Sequence, residues 1–250
     1  MKLSTAITYA SASLSRLYRP ALRSAVVIVL FVCLGCATSG YNINPAPPNL
    51  PPNARVLLMP LDVQLFELTA GGLQEPRADW TAVAENHVHA ALESILKEKK
   101  DSVVLYEPPQ NNPEKAHLNE QLMKLHETVG QNILIHTYYS AHNLPNKKGS
   151  FDWSLGEGVE RLNERYDADC ALFIFIRDSY ASAGRKAVMV FGALAGYYVT
   201  GGFQMGFSSL VDLENGNILW FGRLLRETGD LRTPEPALEA VLQLLDGIPL

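Results

Sequence analysis

A short apolar segment near the amino terminus constrains this chain more than any other feature. Residues 25–34 form an uninterrupted apolar run of about ten residues, whereas a transmembrane helix needs about 20. The run has the length of the hydrophobic region of a secretory signal peptide. Basic residues but no acidic residue precede it, which keeps the start of the chain on the cytoplasmic side of the membrane. The segment therefore predicts a signal peptide rather than a membrane-spanning helix.

The residues that end this run carry a second signal. Cys33-Leu34-Gly35-Cys36 resembles the lipobox of bacterial lipoproteins, with Gly35 and Cys36 at its two most demanding positions. This resemblance implies cleavage between Gly35 and Cys36, and a lipid bilayer as partner through two or three acyl chains on Cys36. At ~0.8 kcal/mol per buried methylene, such an anchor is effectively permanent. An uncleaved amino-terminal anchor and an ordinary signal peptide are the alternatives.

The expected domain organisation follows from the same resemblance. A cleaved signal peptide would cover residues 1–35, and lipidated Cys36 would begin a proline-rich linker that ends at residue 53. A single periplasmic domain would occupy residues 54–250. Ala37 stands where lipoproteins retained in the inner membrane often carry aspartate. The expected location is therefore the periplasmic face of the outer membrane.

Composition excludes several classes of partner for the mature chain. Removing residues 1–35 leaves 17 basic and 26 acidic residues, a net charge near −9, without a basic cluster. Nucleic acid is therefore not an expected partner, and adhesion to anionic lipid through overall charge is not expected either. With Cys33 removed and Cys36 acylated, Cys170 is left without a disulfide partner. Its apolar neighbours predict a buried structural thiol.

Alternating strand and helix patterns predict the fold. The predicted strands lie at residues 54–68, 102–106, 170–177, 207–212 and 218–226. The predicted helices lie at residues 79–99, 113–136, 155–166 and 234–245. Pro60 has no amide donor, so a bulge or the edge of the strand is expected there. Asn215-Gly216 predicts a β-hairpin. We expect an α/β fold, a single domain whose mixed sheet includes a C-terminal β-hairpin and carries helices packed on it.

Residues 187–203 form a second unusual segment, which has no charge and four glycines. One interpretation is a buried helix or strand with close backbone packing. The other is a subunit interface or a membrane contact through Phe191, Tyr197, Tyr198 and Phe203. Because glycine destabilises a free helix by ~1 kcal/mol per residue, something is expected to cover the segment.

Motifs for catalysis, metal binding and cofactor binding are missing from the sequence. His87 and His89 are two residues apart on a predicted helix, where metal ligands need a spacing of three or four. The other histidines are scattered, and there is no GxSxG nucleophile turn and no phosphate-binding loop. Asp167 and Asp169 adjoin a strand start as ordinary turn residues do. We therefore predict no catalytic residue, no metal site and no cofactor.

Three short motifs resemble the CsgG-like group of envelope lipoproteins. They are VLLMP at 56–60, YDADCALFIFI at 166–176 and LVDLENGNILW at 210–220, and Asp167 stands where the group usually has glycine. The resemblance implies a compact α/β domain, also similar to LpoB and to the N-terminal domain of TolB. Members of the group secrete, scaffold or activate other envelope components. Residues 187–203 do not alternate and are too short for two membrane β-strands, so a pore is not expected.

Two functional hypotheses follow. The first is a non-enzymatic, membrane-anchored lipoprotein that binds or assembles unidentified envelope proteins, with a homo-oligomer through residues 187–203 as one form. The second is an envelope hydrolase with an acid site that leaves no motif.

Overall fold

The computed structural model describes Leu50 and residues 53–97, 102–110, 112–138, 142–147, 150–227 and 229–250. The predicted signal peptide, its cleavage site at Gly35 and the predicted lipidation site Cys36 lie outside the described residues, as does most of the linker. Among the described helices, none combines the length and the apolar character that are needed to cross a bilayer.

A seven-stranded mixed sheet forms the centre of the fold. Its strands are β1 (Val56–Leu58), β2 (Asp62–Leu68), β3 (Gln74–Pro76), β4 (Val103–Leu105), β5 (Cys170–Ala181), β6 (Gln204–Asp212) and β7 (Ile218–Arg226). Strands β1 and β2 lie end to end, both parallel to β5. β4 pairs in parallel with β1, and β3 pairs antiparallel with β2. On the other edge of β5, β6 and β7 continue the sheet as an antiparallel hairpin.

Two expectations about this sheet are confirmed. The register against β5 shifts by one residue between β1 and β2, at the position of Pro60, as the missing amide donor of proline predicts. The hairpin between β6 and β7 turns at Asn215-Gly216, where Gly216 has a φ of 76° and Asp212 accepts from the Glu214 backbone N–H (2.9 Å). The observed fold is therefore mixed α/β with a C-terminal hairpin.

Five helices accompany the sheet within the described residues. They are α1 (Ala78–Leu96), α2 (Pro113–Tyr138), α3 (Glu160–Tyr166), α4 (Ala183–Leu194) and α5 (Pro234–Leu244). A short 3-10 turn at Glu157–Val159 precedes α3, which is why this helix begins later than the sequence pattern predicts. Asp167 follows α3 as its C-cap residue, and its φ of 51° is a backbone conformation that favours glycine.

The two faces of the sheet carry separate cores. Leu172 and Ile174 of β5 pack with residues of α1 and α5, whereas Phe173 and Phe175 pack with residues of α2 and α3. This alternation is what the period of two along a strand requires. Cys170 belongs to the first core, and burial together with Asp212 and Asp169 raises the pKa of its thiol to about 12. The expected buried thiol is confirmed.

Gly130 lies where α2 packs closely against the sheet. A Cβ added there would lie 2.0 Å from Phe207, a fully buried ring stacked between Phe175 and Phe221. We expect Gly130→Ala to lower the free energy of unfolding by about 1–3 kcal/mol, because overpacking outweighs the gain in helix propensity of about 1 kcal/mol. Urea denaturation measures this effect.

Gly158→Ala is the matched control. This glycine is exposed, and its added Cβ would meet nothing nearer than the flexible Arg161 guanidinium at 3.9 Å. The control variant is expected to be neutral or slightly more stable than the wild type. A stabilised Gly130→Ala variant would contradict the packing described for α2.

Candidate functional site

Residues 182–203 leave the sheet at the end of β5 and return to it at the start of β6; we call them the α4 hairpin. At its start, the Ser182 hydroxyl accepts a hydrogen bond from the Arg185 backbone N–H (3.1 Å), as an N-cap residue does. At its end, the Phe203 backbone N–H donates to the Ser179 hydroxyl (2.9 Å), while the Ser179 N–H donates to the Phe203 carbonyl (3.1 Å). These bonds close the base of the hairpin.

The inner side of α4 packs on the returning chain of the hairpin, and its first turn also lies near Ala70 and Gly72 in the turn after β2. Arg185 Nε donates to the Thr200 carbonyl (3.0 Å), and Met189 lies against Gly201. A Cβ on Gly192 would lie 2.9 Å from a methyl group of Val199, so glycine permits the close approach. The close backbone packing that the glycines suggested is therefore present. It joins two parts of the hairpin rather than the hairpin and the core.

The outer side of α4 is apolar and faces solvent. No residue of α4 is buried. The large apolar side chains of this side are between 60% and 81% exposed; we call them the apolar surface, and they are Val190, Phe191, Leu194, Tyr197 and Tyr198. The expectation of a buried helix or strand at residues 187–203 is therefore wrong. Exposed apolar side chains grouped in this way are typical of surfaces that contact a partner or a membrane.

The structure brings together three of the four residues that the sequence singled out in this segment. Phe191, Tyr197 and Tyr198 belong to the apolar surface, whereas Phe203 lies at the base of the hairpin and is 41% exposed. Val190 and Leu194 complete the surface. They were missed because a single valine and a single leucine carry no signal of their own. Their spacing of four residues on a helix is what places them side by side.

Charge is unevenly distributed around the apolar surface. Between Asp178 and Asp212 the chain has no acidic residue, but it has the basic pair Arg185 and Lys186 at the start of α4. Glu227 is the acidic residue at the margin: its carboxylate accepts a hydrogen bond from the Tyr198 hydroxyl and raises the pKa of that hydroxyl. The surface is therefore apolar in the middle and basic at one end.

A buried polar cluster lies beneath the hairpin. Asp178 is buried in β5, and one of its carboxylate oxygens, Oδ2, accepts hydrogen bonds from both the Tyr180 hydroxyl and the Gln204 side-chain amide. Burial raises the pKa of Asp178 to about 6. The Tyr180 oxygen in turn accepts from the Leu231 backbone N–H (2.7 Å). The cluster connects the end of β5 to the segment before α5.

Aromatic rings extend this connection to α1. The Arg232 guanidinium lies over the rings of Trp80 and Tyr180, at 4.4 and 4.0 Å from their centres. Arg77 lies over the same Trp80 ring at 4.3 Å. Cation–π contacts of this kind are worth about 0.5–1 kcal/mol each at exposed sites. The base of the hairpin is thus held by contacts from α1 and from the segment before α5.

The groups that resemble catalytic ones have structural partners. His126 Nε2 and Ser209 Oγ lie 2.9 Å apart, but both side chains are buried, and burial lowers the pKa of His126 to about 3. The His126 ring is stacked on Phe173 with ring centres 4.9 Å apart. His87 and His89 contact different groups, the Leu231 carbonyl and Glu93 respectively. This arrangement fits core and surface histidines.

Asp167 and Asp169 hold the start of β5 against the start of β1. Asp167 forms an ion pair with Arg55, and Asp169 accepts a hydrogen bond from the Arg55 backbone N–H (2.8 Å). Both carboxylates therefore act as turn residues. Within the described part of the chain, no group of three or more histidine, cysteine, aspartate or glutamate residues is placed to hold a metal ion.

Comparison with known proteins gives distant structural similarity. A scan of known protein families finds no match, and a search of curated proteins finds none either. Among solved structures, the chain is similar to the PelC dodecamer from Paraburkholderia phytofirmans, with 12% identity and a TM-score of 0.36, over 85% of this chain and 98% of that one.

Two further solved structures are similar at the same level. Lipoprotein GNA1162 from Neisseria meningitidis has 16% identity and a TM-score of 0.29, over 76% of this chain and 91% of that one. The LpoB C-terminal domain from Salmonella enterica has 13% identity and a TM-score of 0.26, over 72% and 87%.

The buried carboxyl group of Asp178 predicts a specific pH dependence. Its pKa in the folded protein lies above the ordinary value of 3.8, so the folded state binds the proton more tightly than the unfolded state does. The contribution of Asp178 to stability therefore falls as the pH rises from about 4 to about 6. Asp178→Asn removes this loss, and one amide oxygen can still accept from both Tyr180 and Gln204.

We expect the advantage of Asp178→Asn over the wild type to grow by about 2–3 kcal/mol between pH 4 and pH 7, since one pKa unit corresponds to about 1.4 kcal/mol. Denaturant unfolding at several pH values measures it. Asp152→Asn is the control, because Lys147 lowers the pKa of that exposed carboxyl group, so the same gain is not expected. Parallel pH profiles for the wild type and Asp178→Asn would contradict the prediction.

Proposed function

We propose that this chain is a lipid-anchored envelope protein that acts by binding other envelope components and has no catalytic activity of its own. The observation that carries the proposal is the apolar surface of the α4 hairpin. Exposed apolar side chains such as Phe191 and Leu194 are unfavourable in water, because burying apolar area stabilises a protein by about 25 cal/mol per Å². A helix of 12 residues without a buried side chain is also marginal by itself. A covering partner resolves both difficulties.

The lipobox-like sequence around Cys36 supports the anchor. An acylated cysteine followed by a proline-rich linker would hold the folded domain near a membrane without a membrane-spanning helix. Ala37 favours the periplasmic face of the outer membrane, as the lipoprotein resemblance implies. The anchor raises the local concentration of the domain at the envelope, so even a small contact surface gains from it.

The state of the polar side chains supports a role without catalysis. A catalytic acid, base or nucleophile has to reach its substrate. The His126 and Ser209 pair is buried among aromatic rings. Asp178 is buried and already accepts two hydrogen bonds, and Asp169 accepts the Arg55 amide. The groups that most resemble catalytic ones are thus engaged in holding the fold.

The anchor is tested by replacing its cysteine in the full-length chain. Cys36→Ser is expected to abolish incorporation of labelled palmitate, to block processing of the precursor and to release the protein from the membrane fraction. Cys33→Ala is the matched control, since Cys33 would be removed with the signal peptide, and it is expected to keep both label and processing. Palmitate incorporation by Cys36→Ser would contradict the lipobox assignment.

The contact surface is tested by photo-crosslinking in cells. A photoreactive residue in place of Leu194 of the full-length chain is expected to give discrete adducts to envelope components. The same residue in place of Leu242, which is exposed on α5 outside the α4 hairpin, is the control and is expected to give few. Equal adducts from both positions, or none from Leu194, would contradict binding through the α4 hairpin.

A further inference from the structure

We propose that the apolar surface of the α4 hairpin inserts into the headgroup region of the bilayer that holds Cys36. The domain then touches the membrane at two places, one through the acyl chains and one through α4. This inference rests on the proposed lipid anchor and names the partner of the apolar surface. Three independent properties of the hairpin support it: the type of its exposed side chains, its charge and its position on the sheet.

The exposed side chains are those of an interfacial helix. Val190, Phe191 and Leu194 lie on the solvent side of α4, and Tyr197 and Tyr198 follow directly after its end. Helices that lie in the membrane surface place such an apolar face about 5–10 Å into the boundary between headgroups and acyl chains. Tyrosine is enriched at that boundary because its ring is apolar and its hydroxyl group is polar.

The local charge favours anionic lipid even though the whole chain is acidic. The stretch between Asp178 and Asp212 carries Arg185 and Lys186 and no acidic residue. Lys186 is exposed one helical turn before Val190, so anionic headgroups can attract its charge. Arg185 is held on the inner side of α4 by the Thr200 carbonyl, and the Glu227 carboxylate at the margin is bonded to the Tyr198 hydroxyl. The basic side chain of Lys186 therefore adds to the apolar side chains in favour of a bilayer that contains anionic lipid.

The topology places the hairpin far from the point where the linker enters the domain. Strand β1 starts beside Cys170, and Leu50 lies near Cys170 and Leu219, so the linker reaches the domain at the start of β5. The α4 hairpin begins after Ala181, at the other end of β5. Twelve residues at about 3.3 Å each separate the two ends by about 40 Å.

The linker is long enough for both contacts. The about 14 residues from Cys36 to Leu50 span at most about 50 Å when fully extended, so the linker can stay slack while the domain lies along the membrane. The contact through α4 would then determine which side of the domain faces the membrane, while the linker keeps the domain within reach of it. One contact alone would leave the domain free to rotate on its linker.

Spin labelling of the full-length lipidated chain tests the inference. Leu194→Cys carries the label on the apolar surface, and Leu242→Cys carries the control label on α5. Cys170 is buried, so it does not take up label. The protein is reconstituted into vesicles of phosphatidylethanolamine with phosphatidylglycerol. Collision of the label with oxygen reports acyl chains, and collision with a water-soluble nickel complex reports water.

We expect the ratio of oxygen to nickel collisions to be several-fold higher at residue 194 than at residue 242. The Lys186→Gln variant should lower the ratio of inserted to water-exposed label at residue 194 by about five-fold in anionic vesicles. The decrease should be much smaller in zwitterionic vesicles. A label at residue 194 that is shielded from both reagents and broadened by a second label would show a second copy instead and overturn the inference. Full nickel access at residue 194 would overturn it as well.

The outcomes separate this inference from the proposed function. If the chain incorporates palmitate but residue 194 stays in water, the second membrane contact is overturned and the lipid anchor stands. A chain without palmitate loses the anchor, and the two-contact arrangement is then overturned with it. Crosslinks from residue 194 to envelope proteins in a chain that fails the spin-label test would leave the proposed function standing with a protein partner.

Discussion

Strand β5 is shared by both cores, and the other elements of the fold pack against it directly or through its neighbours. Its residues alternate between the core that contains α1 and α5 and the core that contains α2 and α3. A slip of one residue would exchange these two sets of side chains, so packing on both faces determines the register of β1, β2 and β6 against β5. Because the register shifts by one residue at Pro60, β1 and β2 can both place their apolar side chains in these cores.

Compensated charges allow β5 to continue beyond its apolar part. Arg177 pairs with Asp62 (2.6 Å), and its guanidinium lies 3.9 Å from the centre of the Phe175 ring. Asp178 receives hydrogen bonds from Tyr180 and Gln204. Burying these groups without partners would cost several kcal/mol. Because they have partners, the strand reaches Ala181, and the α4 hairpin begins at the far end of the sheet from the linker.

The sequence predicts the order of elements well and the surroundings of the elements less well. The hairpin at Asn215-Gly216 and the bulge at Pro60 follow from backbone chemistry that acts locally. The predicted end of β5 near residue 177 is too early, because the partners of Asp178 come from distant parts of the chain. Strand β3 is exposed and has no apolar pattern to reveal it. The apolar face of α4 looks the same in sequence whether a core, a bilayer or another protein covers it, so its exposure could not be predicted.

The way the α4 hairpin closes has a consequence for the architecture. Asp178 and Gln204 are direct neighbours in the sheet, and Ser179 and Phe203 bond to each other just beyond them. The chain thus leaves the sheet and returns to it at almost the same point. A tight turn between β5 and β6 would allow the same strand pairing. Residues 182–203 therefore form an insertion, and a change in its length or composition would leave the pairing of β5 with β6 in place. Exchange of this one segment is a route by which such a domain could acquire a different target.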